Sequence, residues 1–361
     1  MQKFDILNVG IGECGCNIVN ELINMDTRYN GLFLNSNMDD VKRLKNAKDV
    51  YIIARSKGTG KNRTYGKQIF IEDRKNILDQ VFKYETQSII NFYFGMGGGT
   101  GSSIAPALIK SLKLLKINKI INVICVIPGF NEDKRYRKNA LECWEELIKL
   151  DNINSFYILD NNKRKNNRDI NKEFAKQFDT FMSMPMQEKT DNVIDEEELG
   201  IVSSCKGATI FYTLPDEKKD AKVALAIAEK DSIFAELNEN TSICKYLGIS
   251  INKENYDYKD IAKQFKIDEY MVSAYNKKKS NLNLVAETGC KLGKISIELL
   301  EESIKEDEED TKEEENTSVD LSIGFDINTK QKTKSVNNNM NEEDIEEKLN
   351  NDSLWNQFLD M

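Results

Sequence analysis

The chain contains no histidine. Proton transfer and water activation therefore fall to carboxylates, lysines or water itself, and serine–histidine chemistry is excluded. One carboxylate pair has a spacing that suits such work. Asp195 and Glu198 lie in Asp191-Asn-Val-Ile-Asp195-Glu-Glu-Glu198-Leu-Gly200, and on a first helical turn residues three apart share a face, so both could address one water. The same pattern caps a helix and matches its dipole, and the residues alone leave both roles open. A second stretch suits phosphate. Gly95-Met-Gly97-Gly98-Gly99-Thr100-Gly101-Ser-Ser103 leaves backbone N–H groups uncovered beside the positive end of a helix dipole, as a phosphate chain needs. A flexible glycine-rich surface loop is the plain alternative.

The elements around these residues follow a repeating order. The aromatic and β-branched run 88–94 reads as a buried strand before the glycines, and 104–112 has helical spacing after them. A strand over 4–9 enters Gly10-Ile-Gly12-Glu13-Cys14-Gly15-Cys16-Asn17 and a helix over 18–23. Its G-x-G-x-x-G spacing fits a dinucleotide loop without choosing the nucleotide. Strand 31–34 leads into Asn35-Ser-Asn37-Met-Asp39-Asp40, and strand 50–53 precedes Gly58-Thr-Gly60-Lys61-Asn62-Arg63-Thr-Tyr-Gly66. The latter is not a Walker loop, because Arg55 and Asn62 stand where glycine and Ser/Thr are needed. Lys61 and Arg63 face either phosphate charge or solvent. Strand 120–127 runs into Pro128, Glu132, Arg135 and Arg137, a helix over 140–150 follows, and strand 155–159 ends at Asp160-Asn161-Asn162. Ile170, Phe174, Phe178, Phe181 and Met182 form a helical stripe that starts near Arg168 and must end or kink at Pro185. Alternating strands and helices predict an α/β fold with a parallel sheet. Strands at 208–213, 283–286 and 294–298, with a helix over 220–237, predict a second unit without an active-site motif.

At 361 residues the chain has room for two domains. From 301 to 361 there are 19 acidic against 6 basic residues, a net of −13, while the whole chain carries −9 and the body therefore +4. That disfavours direct DNA binding through the tail. The acidic block 301–316 and the polar stretch 329–339 cannot bury enough surface to fold alone. Ile345, Leu349, Trp355, Phe358 and Leu359 recur at roughly helical intervals; they read as a peptide that docks on a partner, or as incidental apolar residues in a disordered end. No apolar run has membrane length and no signal peptide is expected. Seven cysteines without paired spacing read as reduced thiols in a cytoplasm, and Cys14 and Cys16, one residue apart, do not suit zinc.

Taken together, the loops resemble those of the tubulin/FtsZ GTPases. Gly97-Gly98-Gly99-Thr100-Gly101-Ser102 resembles that family's signature, and Gly58-x-Gly60-x-Asn62-x-x-x-Gly66 resembles its loop over the γ-phosphate. Asn17 stands where an asparagine closes the first glycine turn, while Glu13 and Cys14 replace glycines. Asn35-Ser-Asn37 resembles the Asn-Thr-Asp turn, with Asn37 in place of the aspartate near the metal, so no metal ligand is assigned. Pro128 and Glu132 match, and Arg135 and Arg137 flank the position of the family's arginine. Asp160-Asn161 resembles the turn whose asparagine reads guanine through paired donor and acceptor, although Asn is also a common turn residue. The divergent first loop, a shortened connection before the central helix, and the acidic tail are most like the TubZ group of plasmid and phage segregation tubulins.

The resemblance implies a Rossmann-like parallel-sheet GTPase domain over 1–165 and a long central helix with a catalytic loop over 166–200. A smaller α+β second (activation) domain over 201–300 and a flexible, disordered acidic C-terminal tail over 301–361 follow. It implies GTP/GDP with Mg²⁺, cradled by Gly12, Glu13, Cys14, Gly15, Cys16 and Asn17, by Gly60 and Lys61, and by Gly97, Gly98, Gly99, Thr100 and Gly101. Glu132 and Arg135 would lie near sugar and phosphates, with Asn161 and Asn171 at the base. Asp195 and Glu198 would complete hydrolysis in the neighbouring subunit of a polar homopolymer. Partners implied are further copies of the chain and a DNA-binding adaptor at the tail, without membrane or direct nucleic acid. An FtsZ-like division filament is the alternative. A Rossmann NAD-dependent enzyme is more remote, because it needs an acidic ribose ligand where Asn35 and Asn37 stand and leaves Gly97–Gly101 without a role.

Overall fold

The computed structural model describes residues 2–236, 243–276 and 281–292, together with 301, 303–305, 348, 351 and 355. Its first half alternates strands and helices: β1 (Ile6–Ile11), α1 (Gly12–Met25), β2 (Asn30–Asn35), α2 (Met38–Val41), β3 (Asp49–Ile52), α3 (Arg63–Phe82), β4 (Ile89–Gly95), α4 (Gly99–Leu114), β5 (Ile120–Ile127), α5 (Lys134–Leu147) and β6 (Ser155–Asp160). These six strands pair in parallel in the order β3-β2-β1-β4-β5-β6. Neighbouring loops diverge above β1 and β4, the switch point of a doubly wound sheet, where ligands bind.

The strands are near-continuous apolar runs because helices cover both faces. One polar row crosses them. Asn8, Asn91 and Asn122 lie in register on β1, β4 and β5 and hydrogen-bond in series, with Asn122 reaching the Ser204 hydroxyl at 3.1 Å. A one-residue slip would leave these buried amides unpaired, so the row pins register.

α6 (Asn167–Met182) begins beside the site and runs through the centre of the molecule. Asn166 caps it, and its Phe174, Phe178 and Phe181 join Tyr157, Phe211 and Phe234 in a fully buried aromatic cluster. Near its far end Asp179 accepts hydrogen bonds from Lys3 and Tyr29, which tie it to the start of the chain and to the turn after α1. The helix ends before Pro185, as expected of proline.

The remaining described elements are β7 (Glu188–Lys189), α7 (Glu196–Ser203), β8 (Gly207–Leu214), α8 (Ala221–Lys230), β9 (Ile243–Ile251), α9 (Tyr258–Ala262), β10 (Lys266–Tyr275) and β11 (Asn283–Cys290). They extend the same sheet in the order β6-β8-β11-β9-β10-β7, and among the described strands the two halves pair through Ser155↔Gly207 and Phe156↔Ala208. The helix expected over 220–237 stops at Lys230, because Phe234 turns back to bridge Leu159 of β6. α5 starts at Lys134, six residues before the apolar spacing begins, since its first turn is polar. The strand expected over 294–298 and most of the acidic tail lie outside the described residues.

Glu287 of β11 is buried against Tyr212 of β8, whose hydroxyl donates to it at 2.9 Å. Burial pushes its carboxyl up to about 7 despite that hydrogen bond, and Glu229 adds like charge. A raised acid holds its proton in the folded chain where the unfolded chain has lost it. Stability from this group is therefore full below the unfolded value of about 4.3 and is lost as pH rises through the folded one. Glu287→Gln should raise the melting temperature at about pH 8 and leave it nearly unchanged at about pH 4, read by thermal melts across that range.

Candidate functional site

The site forms where two helices start without side-chain caps. α1 begins at Gly12 after Ile11, α4 begins after Gly98, and neither start has a capping side chain. Their free N–H groups and dipoles converge on one cavity of about 710 Å³ at the carboxyl ends of β1, β2, β4, β5 and β6. The two glycine turns pack back to back. Gly12 has φ +70°, and a Cβ there would sit 3.1 Å from the Gly101 nitrogen; a Cβ on Gly101 would meet the Gly95 carbonyl. Nothing crowds the open side of Gly98. This is an anion cradle made of backbone.

Hydroxyls and amides fasten the surrounding loops to it. Thr100 Oγ1 lies 2.6 Å from Ser36 Oγ and 3.2 Å from Thr59 Oγ1, joining the β2 turn and the Gly58–Gly60 loop to the first turn of α4. Gly58, Gly60 and Lys61 all take positive φ. Lys61 lies over the Tyr136 ring and pairs with Asp133 at 3.1 Å. Beneath this loop the buried Asn139 donates to the carbonyls of Lys61 at 3.1 Å and Gly97 at 2.9 Å. One amide thus clamps two cavity loops together. Nothing in the sequence spacing marked Asn139, which acts from inside a helix.

Other expected residues fall into place on the cavity wall. Gly12, Glu13, Cys14, Asn17, Lys61, Gly97, Gly98, Gly99, Thr100, Gly101, Glu132, Asn161 and Asn171 all line it. Burial, reinforced by Glu13 and Glu132, pushes the Cys14 thiol up to about 12, so it stands neutral at the cavity edge. Glu132 accepts from the Gly129 N–H at 2.9 Å and from the Asn161 amide at 3.5 Å. Asn162 is the turn residue here, holding Asp160 and the Phe130 N–H, which leaves Asn161 toward the cavity. The amide of the buried Asn171 has no hydrogen-bond partner among the described residues. The start of α6 adds Lys165, Asn166, Asn167 and Arg168 to the lining; of these only Arg168 stood out in the sequence, as the helix start.

Several expected residues are placed elsewhere. Gly15 is covered by the Tyr93 carbonyl, where no Cβ would fit. Cys16 is buried behind the turn, its thiol directed at the carbonyls of Gly10 and Leu34. Gly60 turns the loop without facing the cavity, and Arg135 points to solvent while Tyr136 lines the wall. Arg63 is not a phosphate cation. It is buried against Glu142 at 2.7 Å, Glu146 at 2.9 Å and the Ser102 carbonyl at 3.0 Å, bracing α3 and α5 against the start of α4.

The position of the missing aspartate is also accounted for. Asn37 caps α2 and, with Asn35, holds Asp40, which lines the cavity; burial raises the Asp40 carboxyl. The loop's carboxylate stands three residues later than expected.

Asp195 and Glu198 do not line this cavity. They form a reciprocal capping box on α7: Asp195 Oδ1 accepts from the Glu198 N–H at 2.8 Å, and Glu198 Oε2 accepts from the Asp195 N–H at 3.1 Å. Other residues of α7 share a second cavity with Asp5, Ser88, Ile89 and Ile120, at the amino ends of β1, β4 and β5. A six-residue strand is about 20 Å long, so the carboxylate pair and the anion cradle stand at opposite ends of the sheet.

A backbone anion cradle at the switch point of a parallel sheet, with the amides of Asn161 and Asn171 beside it, defines a nucleotide-binding α/β protein. Residues 5–169 match the model of the Tubulin/FtsZ family, GTPase domain. The tubulin-like protein TubZ of Clostridium botulinum C phage is 32% identical over 366 residues, covering 99% of this chain and 100% of that protein. The chain belongs to the tubulin/FtsZ family. The solved structure of tail-truncated TubZ from C. botulinum phage c-st is 33% identical with a TM-score of 0.78, covering 85% of this chain and 99% of that one. The GTPγS-form protofilament of TubZ from Bacillus thuringiensis serovar israelensis shares the fold at 14% identity, with a TM-score of 0.73 over 87% of this chain and 94% of that one. Among the described residues, no helix is long and apolar enough to cross a membrane.

Asn139→Ala removes the donor shared by two buried carbonyls, at a cost of about 1–3 kcal/mol. It should weaken guanine-nucleotide affinity by roughly tenfold in calorimetric titration. Unchanged affinity would show that the clamp does not set the loops.

Proposed function

We propose that this chain is a GTPase that assembles head to tail into filaments and completes hydrolysis only across the junction between two subunits. The observation that carries this reading is the placement of the two half-sites at opposite ends of one sheet. No single subunit can bring Asp195 and Glu198 to its own cradle, whereas a second copy stacked end to end can. Such a heterologous contact repeats without closing. Exposed apolar side chains fit it: Phe4, Val193, Ile201, Ile243 and Tyr270 on or near the α7 end, and Met38 and Tyr65 near the cavity. That the Bacillus relative of the same fold is solved as a protofilament supports the self-association part of this reading.

In this reading the triphosphate lies on the N–H groups of Gly12, Glu13 and Cys14 and of Gly97–Gly101, with Asn17 beside them. Glu132 would meet the ribose, and Asn161 and Asn171 would read guanine. The nearby oxygens of Ser36, Thr59, Thr100 and Asp40 are hard donors that suit Mg²⁺, and among the described residues no cluster of three or more His, Cys, Asp or Glu could hold a metal. The ion would be held mainly through phosphate, and when bound it would neutralise charge on the β/γ oxygens. Across the junction, the carboxylates of Asp195 and Glu198 would orient and polarise the attacking water. The cargo in this reading is plasmid or phage DNA, held through a DNA-binding adaptor, because the acidic segment itself repels DNA phosphates.

The test is GTP turnover per subunit against protein concentration, with pelleting in parallel. Turnover should be near zero below a threshold and rise above it. Glu198→Gln keeps an acceptor for the capping box and removes the charge, so it should still pellet while hydrolysing roughly a hundredfold more slowly. Turnover that is flat in concentration, with nothing pelleting, would overturn the reading.

A further inference from the structure

Trp355, in the segment that the sequence offers as a docking peptide, is seated on its own chain. Trp355 is fully buried in the apolar cluster that includes Phe70, Ile77 and Leu112 of α3 and α4. Its indole N–H donates to the Lys348 carbonyl at 2.8 Å, and its backbone N–H reaches the Asn351 carbonyl, the i to i−4 bond of a helical turn. Arg74 of α3 lies over the indole, 5.3 Å from the ring, and is braced by the Ile71 carbonyl. Lys348 donates its ammonium to the Leu114 carbonyl at 3.1 Å. Leu114 ends α4, so this cation meets one of the orphan carbonyls at the negative end of the helix dipole. A third anchor lies earlier: Ile304 is buried, and the Ser303 carbonyl accepts from Arg137 of α5 at 2.8 Å.

We propose that the face formed by α3 and the end of α4 is a docking site for the Trp355 segment of the same chain, and that this seat acts as a latch. With Trp355 seated, the acidic stretch is tethered at both ends to the nucleotide-binding half. The Trp355 ring, an anchor that could recognise another protein, is then withheld. The anchors are few and their chemistry is complementary: an aromatic ring under a guanidinium, and an ammonium on a helix end. A peptide this short does not hold a helix unaided in water, so release from the seat and loss of its helical turn occur together. The proposal goes beyond filament assembly and holds whether or not the chain polymerises.

The test uses the full-length chain without nucleotide, at concentrations where nothing pellets. The only other tryptophan is Trp144, so Trp144→Phe leaves Trp355 as the sole indole for acrylamide quenching. Trp355 should be shielded at every concentration, and Arg74→Ala or Lys348→Ala should raise its open population by roughly threefold. Quenching as free as that of a tryptophan amide in solution would overturn the proposal. Shielding that grows with concentration would overturn it in favour of a second copy as occupant. If Trp144→Phe loosens the core, fluorine NMR of wild-type protein carrying fluorotryptophan reads the same seat. The Trp355 resonance is assigned by its loss in Trp355→Phe. A shift away from that of free fluorotryptophan, reduced by Arg74→Ala, is expected of a seated ring; a free-like shift in both proteins would overturn the latch.

Discussion

Much of this structure follows from the close approach of two glycine turns. Gly12 and Gly101 bring the uncapped starts of α1 and α4 within van der Waals contact of each other. Two positive helix ends side by side repel, and neither has a side chain to satisfy its N–H groups. The rim holds the two turns in place. Arg63 braces the Ser102 carbonyl, Thr100 gathers two hydroxyls, and Asn139 ties the two outer loops together. The cradle thus favours an anion, whose charge would offset both helix ends at once.

The part of the design that is backbone was legible from the amino-acid order. Glycine runs between apolar strands and amphipathic helices have few physical explanations, and the strand over 120–127 falls at the expected residues. Asn35 and Asn161 were legible because each stands where a strand ends. What escaped was whatever depends on a partner distant in sequence. Asn139 looks like any polar helix residue until the carbonyls of Lys61 and Gly97 arrive above it. Arg63 read as facing either phosphate charge or solvent, yet Glu142 and Glu146 claim it from a helix far along the chain. Strand β9 and strand β10 were missed for a related reason. β10 alternates weakly, with several exposed charged residues, and each is defined by its neighbours in the sheet.

The Asp195–Glu198 pair illustrates why residue type and spacing alone could not separate two roles. Reciprocal capping and a shared catalytic face require the same residues three apart on the same first turn. The structure shows the two capping bonds, which between them use one oxygen of each carboxylate. The other two oxygens remain available. A cap of this kind also fixes rotamers, so the folding role prepares the geometry that the chemical role would need.

The narrow seam between the two halves of the sheet has a mechanical meaning. Among the described strands, Ser155↔Gly207 and Phe156↔Ala208 are the only pairs across it, supplemented by the Leu159↔Phe234 bridge and the backbone bonds of Ile233 and Ala235 to Asp160 and Ile158, whereas β4 and β5 pair along seven residues. Backbone ladders resist shear along their length, and here the ladder is short. The halves are instead glued by interlocking rings from α6, β6 and β8, whose cohesion has little preferred direction. A joint held mainly by packed rings tolerates small rotations better than one held by a long ladder, and α6 runs through it like an axle.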